Sequence, residues 1–286
     1  MMLKAARAAL FAVLPAELLT AVLLVSGVPL PAPLLVVAEL AVISVLLLEG
    51  VTVCRLFKAG IRAGEDRRTA LRGAFRHLVP ARVRRLIAFE VLGMASLVLW
   101  VARRRDGVPR GAVAVPYSRE QSPFLLLILF VTVLETVATE VLLRGLGAPA
   151  GLRVVVLVLD LYGTLAVLSV LAAGVTRPHV VSGAELRVRY GTFFDVRVPR
   201  RLVASVRISH NYNERGLVSV EGDRLAVAVS SRTNLLVELT EPVTVVRPMG
   251  REERVTSVRF FADAPENAFE ALREPQRAAG LPQREE

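Results

Sequence analysis

The pattern of apolar and polar positions changes character at Arg177. Up to that residue long apolar runs alternate with arginine-rich segments, and beyond it short alternating stretches are broken by Gly, Pro and Asn. The first texture suits a bilayer and the second a small water-facing β domain. A helix needs about 20 apolar residues to cross roughly 30 Å of hydrocarbon. Residues 8–28, 34–56, 123–143 and 152–176 meet that requirement and predict four transmembrane helices. The first two are joined by GVPLPAP, whose Pro29, Pro31 and Pro33 cannot continue a helix, and the last two by the short turn RGLGAPAGLR. The run at 8–28 follows Lys4 and Arg7 as a signal peptide would, but it exceeds the usual 7–15-residue apolar region and reads as a retained helix.

A fifth apolar stretch, residues 86–102, is shorter, contains Glu90, and is flanked by Arg84 and Arg85 before it and by Arg103, Arg104 and Arg105 after it. Charge decides how to read it. From Arg55 to Arg85 there are ten basic and two acidic residues, and from Arg103 to Ser122 five basic and two acidic. The positive-inside rule keeps both segments in the cytoplasm only if residues 86–102 lie in the interface or re-enter on one side. That favours four spans with a cytoplasmic C-terminal domain, Trp100 and its neighbouring arginines acting as interfacial anchors. A fifth span would put the β domain outside the cell. Residues 59–79 mix an apolar stripe with Arg62, Arg67, Arg68, Arg72 and Arg76, as a helix lying on an anionic leaflet does; an ordinary basic loop is the plainer reading.

After Arg177 the alternation is that of strands. Leu186, Val188 and Tyr190 share one face and Arg187 and Arg189 the other; beyond Gly191, Phe194, Val196 and Val198 resume the apolar face, which Val206 and Ile208 continue. Further strands are expected at 217–220, 225–229, 235–239, 243–246 and 255–261, separated by EGD, SSRTN, EP and MGREE turns. Pro265, preceded by Asp263, opens an amphipathic helix, and residues 275–286 read as a disordered tail. The expected architecture is a membrane α-helical bundle over 1–176 followed by a small all-β barrel with one C-terminal helix over 177–274.

The composition agrees. The 286 residues are 53% hydrophobic, and the mean hydropathy of +0.52 is too apolar for an ordinary soluble domain. Of the formal net charge of +10, the membrane half holds most, with 19 basic against 11 acidic residues up to position 176 and 17 against 15 beyond it. An excess placed there points to anionic lipid headgroups rather than nucleic acid. Cys54 is the only cysteine, which excludes an intramolecular disulfide or a thiolate metal cage.

The membrane segments contain Glu17, Glu39, Glu49, Glu90, Glu135, Glu140 and Asp160. A carboxylate at the bilayer centre costs on the order of 2.5–3.5 kcal/mol, so such groups face a bundle interior or a wet cavity. Glu39, Glu135, Glu140 and Asp160 are therefore the candidate intramembrane polar site, as a proton relay or cation site. The plainer reading is interhelical hydrogen bonding, with Glu140 reaching Arg144 one turn on. On the β domain, Arg187, Arg189, Arg197, Arg200, Arg201 and Arg207 form a candidate basic face for anionic lipid or an acidic partner, against the plainer reading of a solubilising outer face.

The stretch GAELRVRYGTFFDVRVPRRLVASVRI resembles the bacterial pleckstrin-homology-like (PH-like) domains that follow transmembrane helices, with a strand, a glycine turn, a second strand ending at Pro199, and a new strand at 203–206. The resemblance covers roughly residues 178–273 and implies a binding or assembly module. The membrane half is similar to polytopic proteins of arginine-rich, actinobacterial-type bacteria, a likeness that assigns no activity. His77, His179 and His210 are too far apart to form a short metal pair, and His179 marks the membrane exit. No Walker loop, nucleophile elbow or zincin motif is present, and GLGAPAG lacks dinucleotide spacing. The expectation is a non-enzymatic, multi-pass cell-membrane protein without a cofactor that presents its β module to a lipid surface, a protein partner or a second copy of itself. Ion- or proton-coupled transport by an oligomer through the membrane carboxylates is the alternative.

Overall fold

A computed structural model of the protein describes residues 31–64, 66, 67, 69, 73, 81–248 and 250–279. Its helices are α1 (Ala32–Arg62), α2 (Ala81–Val101), α3 (Ser122–Gly145) and α4 (Ala150–Thr176). Pro123 sits in the first turn of α3, where its missing N–H costs nothing. At the other end Gly147 adopts a positive φ of 69°, while its N–H bonds Arg144 O at 3.0 Å and Ala148 N–H bonds Leu143 O at 2.9 Å. These paired bonds satisfy the last carbonyls and stop the helix.

Among the described residues two helices, α3 and α4, are long and apolar enough to cross a membrane. No residue of α3 is buried, and the buried residues of α4 all lie in its last turns. Phe124 and Phe130 are each 64% exposed. An uncovered apolar surface of this extent is unstable in water, which accords with a membrane location.

Four transmembrane helices are not supported. Residues 123–143 and 152–176 fall on α3 and α4, and residues 34–56 lie on α1. The expected span at 8–28 lies outside the described residues, as does most of 59–79 beyond Gly64. Residues 86–102 fall mainly on α2.

The chain divides into two compact units, one comprising described residues up to Ile87 with Thr132–Gly163, the other Ala88–Val131 with Thr164–Glu286. The second unit holds a four-stranded antiparallel sheet in the order β1 (Val113–Val115), β2 (His179–Val181), β3 (Glu185–Tyr190), β4 (Phe194–Pro199). Its other sheet has the order β5 (Val203–Asn211), β8 (Thr233–Val246), β9 (Glu252–Phe260), β7 (Arg224–Val227), β6 (Val218–Glu221), with β7 and β9 parallel. The sheets do not close into the expected barrel. Pro199 ends β4, a short 3-10 turn over Arg200–Leu202 follows, and the chain re-enters as β5 of the second sheet. Proline has no N–H with which to continue the first ladder.

Leu186, Val188, Tyr190, Phe194, Val196 and Val198 all enter one core with Leu225, Leu235, Val237, Val258 and Phe260. Pairing of Leu186 with Val198 and Val188 with Val196 is the register that the alternation requires. Ile208, by contrast, is 39% exposed although it pairs with buried Leu235; it stands where the regular register ends, before the irregularity that leads to Asn211. The amphipathic helix α5 (Pro265–Ala279) buries Ala268 and Leu272 in the same core. It runs into the predicted tail, since Pro275 removes one N–H while Gln276, Arg277, Ala278 and Ala279 are adequate helix formers. Residues 280–286 lie outside the described residues.

Candidate functional site at the end of helix α4

Three helix ends, Ala88–Val101, Ser122–Val131 and Thr164–Thr176, belong to the same unit as the sheets. Gly93 lets α2 approach α4, since a Cβ there would stand 3.0 Å from Ser169 Oγ. The linker from α2 to α3 then supplies β1, in which Val113 pairs with Val181 and Val115 with His179. A strand from between the helices thus completes the first sheet.

Where α4 ends, charge is concentrated and enclosed. Asp106 N–H donates to Thr176 O at 2.8 Å, and its carboxylate lies 3.0 Å from buried Arg177. Arg189 has no exposed surface at all. Its Nη1 donates to Asp106 O at 2.8 Å, and the carboxylates of Asp106 and Asp195 lie 3.9 and 3.8 Å away. Arg187 Nε donates to Asp195 Oδ1 at 2.8 Å, and Arg187 Nη2 also bonds Asp195. Burial, and then the neighbouring Arg187, push the proton affinity of Arg189 down, while the hydrogen bonds to Asp195 push that of Arg187 up. Gly107 is required in this cluster. Its φ is 60°, and a Cβ would stand 2.5 Å from Arg189 Nη2 and 2.8 Å from Arg187 Nη1.

An aromatic stack lies behind the cluster. The rings of Tyr117 and His179 are stacked at 4.5 Å, and Phe260 meets His179 edge-on at 5.1 Å. His179 Nδ1 accepts the Arg189 N–H at 3.0 Å, which leaves Nε2–H to donate to Phe261 O at 2.9 Å. A neutral ring satisfies both partners, and burial lowers the His179 pKa to about 3. Gly191 N–H donates to Tyr117 Oη at 2.5 Å and Tyr190 Oη donates to Gln121 Oε1 at 2.6 Å. Burial raises both phenols, Tyr190 to about 12. Such groups neither accept nor release a proton near neutrality, so the stack is a fixed support.

A cleft of about 570 Å³ opens beside these helix ends, lined by Trp100, Val101, Arg103, Arg104, Arg105, Val175 and Thr176. Arg103 has a φ of 54°, its N–H bonds Trp100 O at 3.0 Å, and Arg104 N–H bonds Leu99 O at 2.8 Å. This is the same stop that closes α3, with arginine in the position Gly147 fills there.

The predicted basic face is mostly engaged within the protein. Arg189 lies on the polar side of β3 as expected, but Asp106 and Gly107 cover that side. Arg187 pairs with Asp195, Arg197 lies 3.6 Å from Glu185, and Arg207 bonds Glu238. Arg200 donates to Leu272 O at 2.6 Å and so holds α5. Arg201 is exposed.

Glu140 Oε1 lies 2.7 Å from Arg144 Nε and 2.5 Å from Arg153 Nη2. Glu135 is exposed, Asp160 is half-buried, and Glu39 lies on α1. Among the described residues no three His, Cys, Asp or Glu side chains form a set that could hold a metal ion.

Sequence reasoning missed Asp106, Arg177 and Tyr117. Their signal was slight: one aspartate directly after three arginines, and one tyrosine in the apolar sequence of β1 and its flank. No protein-family model, curated protein or solved structure matches this chain.

Proposed function

We propose that this chain is a multi-pass cell-membrane protein that holds a PH-like binding or assembly module at the cytoplasmic surface, without catalysis of its own. The observation that carries the reading is the hydrogen-bonding of β1, from the linker between α2 and α3, to β2. A module tethered by a flexible linker would need no such strand. The module is therefore joined to the helix ends of its own unit by a paired strand as well as by the chain leaving α4. The basic excess from Arg55 to Arg85 and from Arg103 to Ser122 supports the cytoplasmic side. The hairpin of β3 and β4, the strand that follows Pro199 and the packed helix α5 support the PH-like reading, with two open sheets in place of a barrel.

The transport reading loses support from Glu140, whose carboxylate is bonded by two arginines. Two assays test the proposal on the full chain. In membranes washed with alkaline carbonate the protein should stay in the pellet, and a C-terminal reporter should read as cytoplasmic; release into the wash or an external reporter overturns it. Proteoliposomes should show the cation and proton leak of empty vesicles, and protein-dependent flux would establish transport instead.

A further inference from the structure

Anion-binding capacity in the second unit is unevenly distributed. Arg177, Arg187 and Arg189 are partnered by Asp106 and Asp195. Next in the chain, Arg103, Arg104 and Arg105 are all exposed, and none has an acidic partner among the described residues. The only acidic neighbour in sequence, Asp106, is committed to Arg177. Three guanidinium groups in the cleft lining thus remain available, and they are forked donors suited to phosphate oxygens.

The rest of the cleft lining is apolar apart from Thr176. Trp100 is 43% exposed, Val101 81% and Val175 45%. Val175 lies in the last turn of α4, one of the two helices suited to crossing a membrane. A lining that combines an indole and two valines with three arginines, at the end of such a helix, matches an amphiphile at the headgroup level. Free phosphate would use only the arginines.

Arg103 provides a second, independent indication. Its left-handed backbone is strained relative to glycine, the usual residue at such a stop. The strain is retained where the arginine faces the cleft.

We infer that the cleft bounded by Trp100, Val101, Val175 and the arginines 103–105 binds one anionic phospholipid, its phosphate on the guanidinium groups and the start of its acyl chains against the indole and valines. The inference rests on the membrane reading above and specifies the class of ligand that the membrane supplies. A bound lipid would brace the α2 and α4 ends on which the sheets are built.

Trp100 is the only tryptophan in the chain and lines the cleft, so its fluorescence reports occupancy directly. The full chain in a neutral maltoside detergent is titrated with dioctanoyl phosphatidylglycerol, dioctanoyl phosphatidylcholine or inorganic phosphate. Phosphatidylglycerol should give a saturable change, whereas the other two should not saturate over the same range. Substituting Arg103, Arg104 and Arg105 together by Gln should raise the half-saturating concentration roughly tenfold or more. A control triple at exposed positions elsewhere, R201Q, R215Q and R254Q, should leave it within twofold. Arg103→Gly relieves the backbone while removing one guanidinium, so it should unfold at higher temperature yet bind phosphatidylglycerol more weakly.

Equal response to phosphatidylcholine, equal response to phosphate, equal weakening by the two triples, or undiminished binding by Arg103→Gly would each overturn the assignment. Carbonate extraction of the same variants separates the two proposals. A triple variant that stays in the pellet but binds normally refutes the cleft and leaves membrane anchoring intact; release of every variant and of the parent refutes the anchoring itself.

Discussion

Arg189 Nη1 donates a hydrogen bond to the backbone carbonyl of Asp106, 2.8 Å away and 83 positions earlier in the chain. Through it a fully buried guanidinium on β3 is tied to the turn that follows α2. An uncompensated buried charge costs several kcal/mol, so this carbonyl and the carboxylates of Asp106 and Asp195 are what permit Arg189 to be there. The integrity of the turn and that of the first sheet should fail together.

Gly107→Ala tests this coupling. The new methyl would stand 2.5 Å from Arg189 Nη2, and that guanidinium has no exposed volume into which to retreat. Gly111 also has a positive φ, 79°, but nothing lies within 4 Å of its would-be Cβ. Alanine at Gly111 should therefore cost only the backbone term, about 1 kcal/mol, and at Gly107 about 2–3 kcal/mol more. Thermal unfolding of the full chain in detergent, followed by near-UV circular dichroism, should order them as parent, Gly111→Ala, Gly107→Ala. Equal losses would mean that the turn has room and that Arg189 is not confined.

Asp106→Asn preserves shape and the backbone carbonyl but removes the charge shared by Arg177 and Arg189. Asp106 is 38% exposed, so solvent moderates the loss, and about 1–2 kcal/mol is expected. High salt should narrow the gap between variant and parent by screening the exposed side of the interaction. A gap that is constant from 50 mM to 1 M salt would point to packing rather than charge.

His179 gives the C-terminal unit an acid sensitivity of known sign. The unfolded chain takes up a proton at the ordinary imidazole value of 6.5, whereas burial holds the folded ring neutral down to about 3. Between those values the unfolded state binds the extra proton, so stability is full above pH 6.5 and declines as the pH falls, by up to about 1.4 kcal/mol per unit. His179→Asn should be less stable at pH 7.5, having lost the bond to Phe261 O, but should decline less steeply between pH 6.5 and 5. Parallel slopes for variant and parent would assign the acid sensitivity to other groups.

The same residues mark where sequence reasoning succeeds and fails. The hairpin from Leu186 to Val198 was legible because its alternation is local and each apolar residue has an apolar partner across the ladder. The outward side of Arg189 was also legible, but not what covers that side, which comes from 83 residues away. Strand β1 has three residues, too few for a periodic signal, and its partner follows two intervening helices. The predicted strands at 235–239 and 243–246 are a single strand, β8, in which Glu241 and Pro242 occupy an irregularity that lets a proline remain in a sheet. His179, read as a membrane-exit marker, stands within three residues of the end of α4 but is buried in the stack. Of the candidate site, the arginines were visible as residues, but their pairing was not, because Asp106 and Asp195 carry no motif.

The hairpin of α3 and α4 offers the remaining test, and it separates a structural carboxylate from a transporting one. Glu140 Oε1 is shared by Arg144 from the same helix, 66% exposed, and Arg153 from the next, 26% exposed. The less exposed partner should matter more, because its charge is less well solvated and it also fastens one helix to the other. Arg144→Gln should therefore cost less than Arg153→Gln. Glu140→Gln should cost most of the three, since it leaves both guanidinium groups without a counter-ion. The rate at which protease cuts the loop at 146–149 in the full chain should rise in the order Arg144→Gln, Arg153→Gln, Glu140→Gln. In proteoliposomes Glu140→Gln should leave proton and cation permeability at the parent level. A variant that unlocks the hairpin but leaves permeability unchanged identifies Glu140 as a clasp; one that abolishes an ion flux present in the parent identifies it as part of a transport path.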